Sequence, residues 1–240
     1  MNIILFDQSE LENGIPASDF RAIHIKNILK KTQGDSFAAG LLNSSKGTAT
    51  ICSIQKDIYK FNYTPTNREN STSPVKVLCG LPRPPVARRI LKDAATAGIL
   101  EIHFICVENG EKSFAQSKLW TTKDFMVALL EGAMQGGNFH LPTVTLWKSV
   151  SHLFSKKTFY GDLIFFDNTL NATPFKAHLQ NPNMPKDTVL AIGAERGWSK
   201  GEQENFIAAG FKPISLGKRI YRTEVALSSA IVMTQNFKEI

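Results

Sequence analysis

Two glycine-containing turns near the carboxyl end of the chain have the composition of a small-molecule site. The first, GAERGW, begins at Gly193, and the second, LGKR, is centred on Gly217. Each turn follows or overlaps a short apolar run, 188–192 and 213–216, of the length expected for a buried strand. Because loops that leave the carboxyl ends of strands form the ligand crevice of an open α/β sheet, we expect both turns to line one site.

Charged side chains follow the second turn directly. Arg222 and Glu224 lie at the start of a helix that we predict from about Thr223 to residue 237. A cation there can stabilise negative charge that develops on a ring or a phosphate. On the residues alone, the alternative is that Glu224 stabilises the helix N-terminus electrostatically and that Arg222 pairs with it.

Several common site chemistries are not supported by the sequence. GAERGW is not a GxGxxG loop, no GK[ST] occurs, and HxxxH, HExxH and GxSxG are absent. We therefore expect no nucleotide-triphosphate loop, no metal site and no nucleophile triad. Ordinary turn chemistry remains the alternative for the glycines. His103 lies in an apolar run and is predicted to be a hydrogen-bonded core residue.

Alternating strands and helices are predicted to position these turns. Ser199 and Glu202 have capping-box spacing, and Gly210 suits a helix C-terminus, so a helix connects the two final strands. The chain before them also alternates. Predicted strands are 75–81, 100–107, 143–147 and 163–166, with helices at 86–97 and 124–134. This order predicts an α/β domain with a mostly parallel sheet.

The first 70 residues have a different sequence pattern. Short strand-like runs separated by turn residues predict a small β-barrel. The stretch 64–74 contains no strongly apolar residue and is the predicted linker. We therefore expect two domains, residues 1–70 and 71–240.

The charge balance favours a polyanionic partner. The formal net charge is +7 and the pI is about 9.3, which suggests nucleic acid first and an anionic membrane surface second. A basic protein with solvated helix surfaces is the alternative. The candidate phosphate contacts are Arg21, Lys26, Lys30, Arg83, Arg88, Arg89 and Lys92.

The cysteines and the hydropathy of the sequence indicate the cellular compartment of the protein. Three cysteines without a CxxC spacing argue against a disulfide scaffold and suit a reducing cytoplasm. No apolar run approaches the roughly 18 residues of a membrane span, and the N-terminal apolar run is too short for a signal peptide. We expect a cytoplasmic protein without membrane or metal.

The stretch from Ile192 to Ile231 resembles the C-terminal signature of the RsmE family within the SPOUT methyltransferases. The matching segments are IGAERGWS, AAGF and SLGKRIYRTEVA. Farther upstream, HIKNILKKTQGD and AMQGGNFHLP resemble weaker family segments, so the resemblance covers nearly the whole chain. The signature is specific over about 35 positions near the carboxyl end.

The resemblance implies a fold and an activity. Such enzymes methylate N3 of a uridine in 16S ribosomal RNA of the small subunit, with S-adenosyl-L-methionine as the methyl donor. They combine a PUA-like N-terminal β-barrel, here residues 1–70, with a C-terminal α/β domain, here 71–240, that carries a trefoil knot. They are homodimers, and the implied partner is small-subunit ribosomal RNA or the 30S particle.

The resemblance also assigns site residues. The cofactor positions are Phe166, Asp167, Asn168, Ile192, Gly193, Glu195, Gly197, Leu216, Gly217, Ile220, Arg222 and Thr223. For catalysis we predict that Arg222 stabilises the developing anion and that Glu195 or Glu224 accepts the proton.

The chain departs from the family pattern at several positions. Ala194, Arg196 and Trp198 replace proline, glycine and phenylalanine, and Asp93 and Asn138 replace basic residues. These departures motivate two alternatives: a SPOUT methyltransferase that acts on another RNA such as tRNA, and a non-catalytic RNA-binding relative.

Overall fold

The computed structural model of the protein describes residues 1–67, 73–168 and 172–237. The chain forms two compact units. One comprises Met1–Ser71 together with Ala133–Leu141, and the other comprises Thr72–Gly132 together with Pro142–Ile240. Each unit is described separately below. Among the described residues, no helix combines the length and the apolarity needed to cross a bilayer.

The first unit is built on a curled, mostly antiparallel five-stranded sheet in the order β1-β3-β4-β5-β2, in which only β1 and β3 are parallel. Its strands are β1 Ile4–Phe6, β2 Ile15–Pro16, β3 Ser36–Leu41, β4 Ser45–Gln55 and β5 Ile58–Asn67, and its helices are α1 Gln8–Asn13 and α2 Phe20–Asn27. The rings of Phe6, Phe37 and Phe61 pack together in its core. Closure of this sheet into a barrel stays a prediction.

The predicted linker at 64–74 is wrong for its described residues. Residues 64–67 belong to β5, where Thr64 is paired with Thr48 and Pro65 with Gly47. Residues 73 and 74 begin the next strand, and 68–72 lie outside the described residues. Polar, threonine-rich sequence can extend a strand because the neighbouring strand satisfies its backbone hydrogen bonds.

The second unit contains a parallel sheet in the order β10-β12-β9-β11-β6-β7-β8. Its strands are β6 Ser73–Gly80, β7 Ile99–Ile105, β8 Thr143–Trp147, β9 Asp162–Phe166, β10 Thr173–Pro174, β11 Thr188–Ile192 and β12 Lys212–Ser215. The helices of this part of the chain are α3 Pro84–Thr96, α4 Lys118–Thr121, α5 Phe125–Gly136, α6 Val150–Lys156, α7 Phe175–Leu179, α8 Lys200–Ala208 and α9 Thr223–Phe237, with a 3₁₀ helix at Lys112–Gln116. The predicted parallel α/β sheet is confirmed.

The strand order brings three chain segments to one edge. β9 lies between β11 and β12, with Ala191 aligned to Phe165 and Ile214 aligned to Phe166. Because all three strands are parallel, the loops after Phe166, Ile192 and Ser215 leave the sheet side by side. The capping box predicted for α8 is present, since Ser199 accepts from the Glu202 amide and Glu202 accepts from the Ser199 amide.

His103 is a satisfied core residue, as predicted. The Trp147 indole donates to His103 Nδ1 at 3.0 Å, and Glu101 Oε1 lies 2.9 Å from His103 Nε2. Burial, with a smaller contribution from the Lys76 charge, lowers the pKa of His103 to about 4. The imidazole is therefore neutral near pH 7, with Nδ1 as a hydrogen-bond acceptor.

An aromatic cluster around Phe206 holds α8 to the sheet. Phe206 is fully buried, and its ring contacts Phe165, Trp198 and Phe211. We expect Phe206→Ala to lower the free energy of unfolding of the second unit by about 3–5 kcal/mol, because the substitution removes a buried ring and leaves a cavity. Urea unfolding followed by circular dichroism measures this loss.

Ile207→Ala is the matched control. Ile207 is the next residue on α8 and is 52% exposed, so its truncation should change the same free energy by about 0.5 kcal/mol or less. Equal losses in the two variants would contradict the role given to Phe206.

Candidate functional site

A cavity of about 290 Å³ lies at the edge where β9, β11 and β12 end. Its walls come from the loops after these strands and from the first turn of α9. The lining residues are Phe166, Asp167, Asn168, Ile192, Gly193, Ala194, Glu195, Gly197, Leu216, Ile220, Tyr221, Thr223 and Ala226. As expected from the sequence, residues of the two glycine turns line one cavity, and its use as a small-molecule site stays a prediction.

Close backbone packing sets the shape of the first turn. The Gly197 amide donates to the Ala194 carbonyl at 2.9 Å, and Gly197 has a φ of +67°. A Cβ on Gly193 would lie 2.7 Å from Gly197 Cα, and one on Gly80 would lie 2.5 Å from the Ala194 nitrogen. A side chain at Gly193 would therefore force the turn open, and one at Gly80 would displace the turn from the end of β6.

The second turn is held by side-chain hydrogen bonds. The Gly217 amide donates to Ser215 Oγ at 3.1 Å, and Ser215 Oγ donates to Asn168 Oδ1 at 3.3 Å. The Thr223 hydroxyl donates to the Gly193 carbonyl at 3.4 Å, which joins the start of α9 to the first turn. Gly217 has a φ of +112°, a conformation that strongly favours glycine.

Most of the predicted cofactor residues surround this cavity, but Gly217 and Arg222 are not among its lining residues. Ala194, Tyr221 and Ala226 line the cavity but are not among the residues predicted from the sequence. All three lie inside the quoted motifs IGAERGWS and SLGKRIYRTEVA. Ala226 lies three residues after Thr223, so helical spacing places both side chains on the same face of α9.

The acidic residue at the start of α9 forms an ion-pair cluster. Glu224 is buried, and its Oε1 lies 3.0 Å from Arg89 Nη2 and 3.8 Å from Arg222 Nη1. Burial on its own raises the pKa of Glu224, but hydrogen bonds from its own amide and from Arg89 outweigh it and lower the pKa. The carboxylate of Glu224 is bound by Arg89 and lies outside the cavity lining, and its role as a proton acceptor stays a prediction.

Glu195 occupies a different position, on the cavity wall. Its Oε1 accepts from the Arg83 amide at 3.2 Å and lies 3.8 Å from Arg83 Nε. Its side chain is 41% exposed. Glu195 is therefore a carboxylate with access to solvent that is held in place by the chain at the start of α3.

The basic residues of α3 have acidic partners. Arg88 and Lys92 both contact Glu131, at 3.4 Å and 3.5 Å, while Arg89 contacts Glu224. Their side chains are 42%, 49% and 51% exposed, so they remain open to solvent. Contact of these side chains with a phosphate backbone stays a prediction.

Arg21 corrects the predicted set of phosphate contacts. It is 4% exposed, and its guanidinium donates at 2.8 Å each to Glu10 Oε2, Asp19 Oδ2 and the Leu5 carbonyl. The prediction for Arg21 is wrong, because its donors are used inside the first unit. Sequence spacing could not identify Glu10 as a partner 11 positions away. Lys26 and Lys30 are exposed and stay predictions.

We expect Arg21→Met to lower the free energy of unfolding of the first unit by about 3 kcal/mol, since Glu10 and Asp19 lose a buried partner. Chemical unfolding monitored on the first unit tests this. Lys26→Met is the control on the same helix, with an expected change of about 0.5 kcal/mol or less. If the two variants were equally stable, Arg21 would not be a structural residue.

The chain resembles a known protein family and named proteins of two bacteria. The family model described as an RNA methyltransferase domain matches residues 68–235. The protein named ribosomal RNA small subunit methyltransferase E of Treponema pallidum is 34% identical over 96% of this chain and 89% of its own. A protein of Borreliella burgdorferi, named ribosomal RNA small subunit methyltransferase E 1, is 29% identical over 98% of this chain and 97% of its own.

Solved structures share the fold. A putative methyltransferase of Legionella pneumophila in complex with SAM has a TM-score of 0.78 at 20% identity, with 98% of each chain covered. A ribosomal RNA small subunit methyltransferase E of Neisseria gonorrhoeae bound to S-adenosyl methionine has a TM-score of 0.77 at 18% identity, over 98% of this chain and 97% of its own. Within the described ranges, no three His, Cys, Asp or Glu side chains group as a metal site.

Proposed function

The chain belongs to the RNA methyltransferase family, and from this membership and the geometry of its site we propose that it methylates N3 of a uridine in 16S ribosomal RNA, with S-adenosyl-L-methionine as the methyl donor. The observation that carries the proposal is the cavity lined by the two glycine turns, next to the loop that contains Lys218, Arg219 and Arg222. The names of the relatives from Treponema and Borreliella support small-subunit ribosomal RNA as the substrate.

The residues present fit the methyl donor. Phe166, Ile192 and Leu216 offer apolar walls for an adenine ring, and the backbone of the glycine turns offers amides and carbonyls at close approach. Asp167 is fixed at the rim by a 2.8 Å hydrogen bond from Gln203. When bound, the donor supplies a methyl group on a sulfonium centre, which a nitrogen nucleophile can attack.

The uridine N3 must lose its proton to become a good nucleophile. Glu195 lies on the cavity wall with an accessible carboxylate, so we assign the proton to it. Arg222 lies between the lining residues Tyr221 and Thr223, and its side chain is 77% exposed. From there it can turn toward the base and stabilise the negative charge on the ring. Glu224 is then a positioning residue that holds the Arg222 side chain through their ion pair.

The wider architecture follows the same proposal. Residues 1–70 form a PUA-like barrel that binds RNA, and 71–240 form the methyltransferase domain. A trefoil knot is supported by the chain path, because β12 lies beyond β9 while the following helix α9 packs back on β11 and β6. The proposed RNA contacts are Lys26, Lys30, Arg83, Arg88, Arg89 and Lys92.

Assembly and location belong to this proposal as well. A homodimer is supported by exposed apolar residues on α9, of which Val232 is 61% and Phe237 is 48% exposed. The cytoplasm, where the small-subunit RNA is found, is the proposed location.

Two measurements test the function. Calorimetry with S-adenosyl-L-methionine should give saturable binding. Deletion of the gene should remove one N3-methylated uridine from the 16S RNA map, and the wild-type gene should restore it. Absence of binding heat would indicate a non-catalytic relative, and binding with an unchanged map would move the substrate to another RNA.

We expect Arg222→Ala to lower kcat by about 10²–10³-fold, because it removes a charge that acts on the transition state. Binding of the methyl donor should change little, since Arg222 is not among the lining residues of the cavity. Lys212→Ala, which removes the same charge at the amino end of β12, is the control. Single-turnover methylation of small-subunit RNA at wild-type rate by Arg222→Ala would remove this residue from catalysis.

A further inference from the structure

A second cavity, of about 490 Å³, adjoins the methyl-donor cavity in the second unit. Ala194 and Glu195 line both of them, so the two cavities meet at the first glycine turn. The other side of the second cavity is formed by the end of β6 and by the loop between β7 and the 3₁₀ helix. A group in the second cavity can therefore lie next to a group in the first, beside Glu195.

An aromatic ring and a side-chain amide line the second cavity, and these are groups that bind nucleobases. Phe114, on the 3₁₀ helix Lys112–Gln116, is half-buried and lines the second cavity. The exposed side chain of Asn109 lines the same space. An unstacked base gains free energy by stacking on an aromatic ring, and an amide can hydrogen-bond to the carbonyl edge of a pyrimidine.

Among the charged side chains that line this cavity, Arg196 is the cation available to bind a ligand. Arg83 is paired with Glu195, and the carboxylate of Glu111 accepts from the Ser113 amide at the start of the 3₁₀ helix. Arg196 is exposed at the tip of the glycine turn and has neither an ion pair nor a side-chain hydrogen bond within the described part of the chain. A guanidinium in this position matches a phosphate oxygen pair.

We propose that the second cavity receives the target nucleotide, with its base stacked on Phe114 and its phosphate bound by Arg196. This placement rests on the proposed function and adds the acceptor side of the site. A base in this cavity must be unpaired or turned out of a helix, because a stacked base could not reach the ring of Phe114. Where the two cavities meet, the N3–H edge of the base lies beside Glu195, which accepts the proton, and N3 faces the methyl group of the donor in the first cavity.

The experiment uses the full-length protein, S-adenosyl-L-methionine and small-subunit ribosomal RNA. Phe114→Leu keeps an apolar side chain but removes the aromatic face, so we expect the KM for RNA to rise about tenfold. The Kd for S-adenosyl-L-methionine and the circular dichroism spectrum should match those of the wild type. Phe114→Tyr keeps the ring and should restore the KM.

Arg196→Gln tests the phosphate contact. One lost contact should reduce the slope of log KM against log salt by about 0.7. Lys212→Gln removes an equal charge from an exposed position at the amino end of β12 and should leave the slope unchanged.

The possible results separate the two proposals. If the wild-type protein transfers no methyl group to the RNA, the proposed function fails and the nucleotide site fails with it. If the wild type is active, but Phe114→Leu keeps a KM for RNA within twofold of it and Arg196→Gln keeps the same salt slope, only the placement of the nucleotide is overturned. If Phe114→Tyr raised the KM for RNA as much as Phe114→Leu does, stacking of the base on the ring would also be contradicted.

Discussion

The close approach of main chain at the end of β6 is the constraint on which the site depends. Gly80 and Gly193 leave no room for a Cβ, and Gly197 adopts a positive φ. The turn that follows β11 can therefore lie directly against the neighbouring strand and present its other face to the cavity. Any side chain at Gly80 or Gly193 would require the turn that both cavities share to move, since the contacts are with backbone atoms.

Ion pairs fix the charged side chains around this turn. Glu224 joins Arg89 of α3 to Arg222, while Glu195 joins Arg83 to the glycine turn. The same contacts distinguish the two carboxylates: the one on α9 is buried and bound, and the one on the turn remains accessible. In the proposed mechanism the cation is Arg222 and the proton acceptor is Glu195, and the two ion-pair networks hold them on separate elements.

Local sequence signals predicted much of the second unit because local physics determines those elements. The capping box at Ser199 and Glu202 satisfies two orphan amides regardless of what lies around it. By contrast, the polar run at 64–67 carried no strand signal, because its partner strand supplies the hydrogen bonds. Helix α1 is absent from the predicted elements, but its start carries the same local signal, since Asp7 and Glu10 have capping-box spacing.

The sequence by itself determined the alternation of strands and helices, the position of the glycine turns and most residues of the cavity. Glycine frequency, apolar runs and caps are properties of neighbouring positions, so they can be seen along the chain. Only the tertiary structure decided that Arg21 is buried, that Arg89 binds Glu224, and that Phe114 and Arg196 line one cavity. These facts depend on strand order and on partners distant in sequence, which no local pattern encodes.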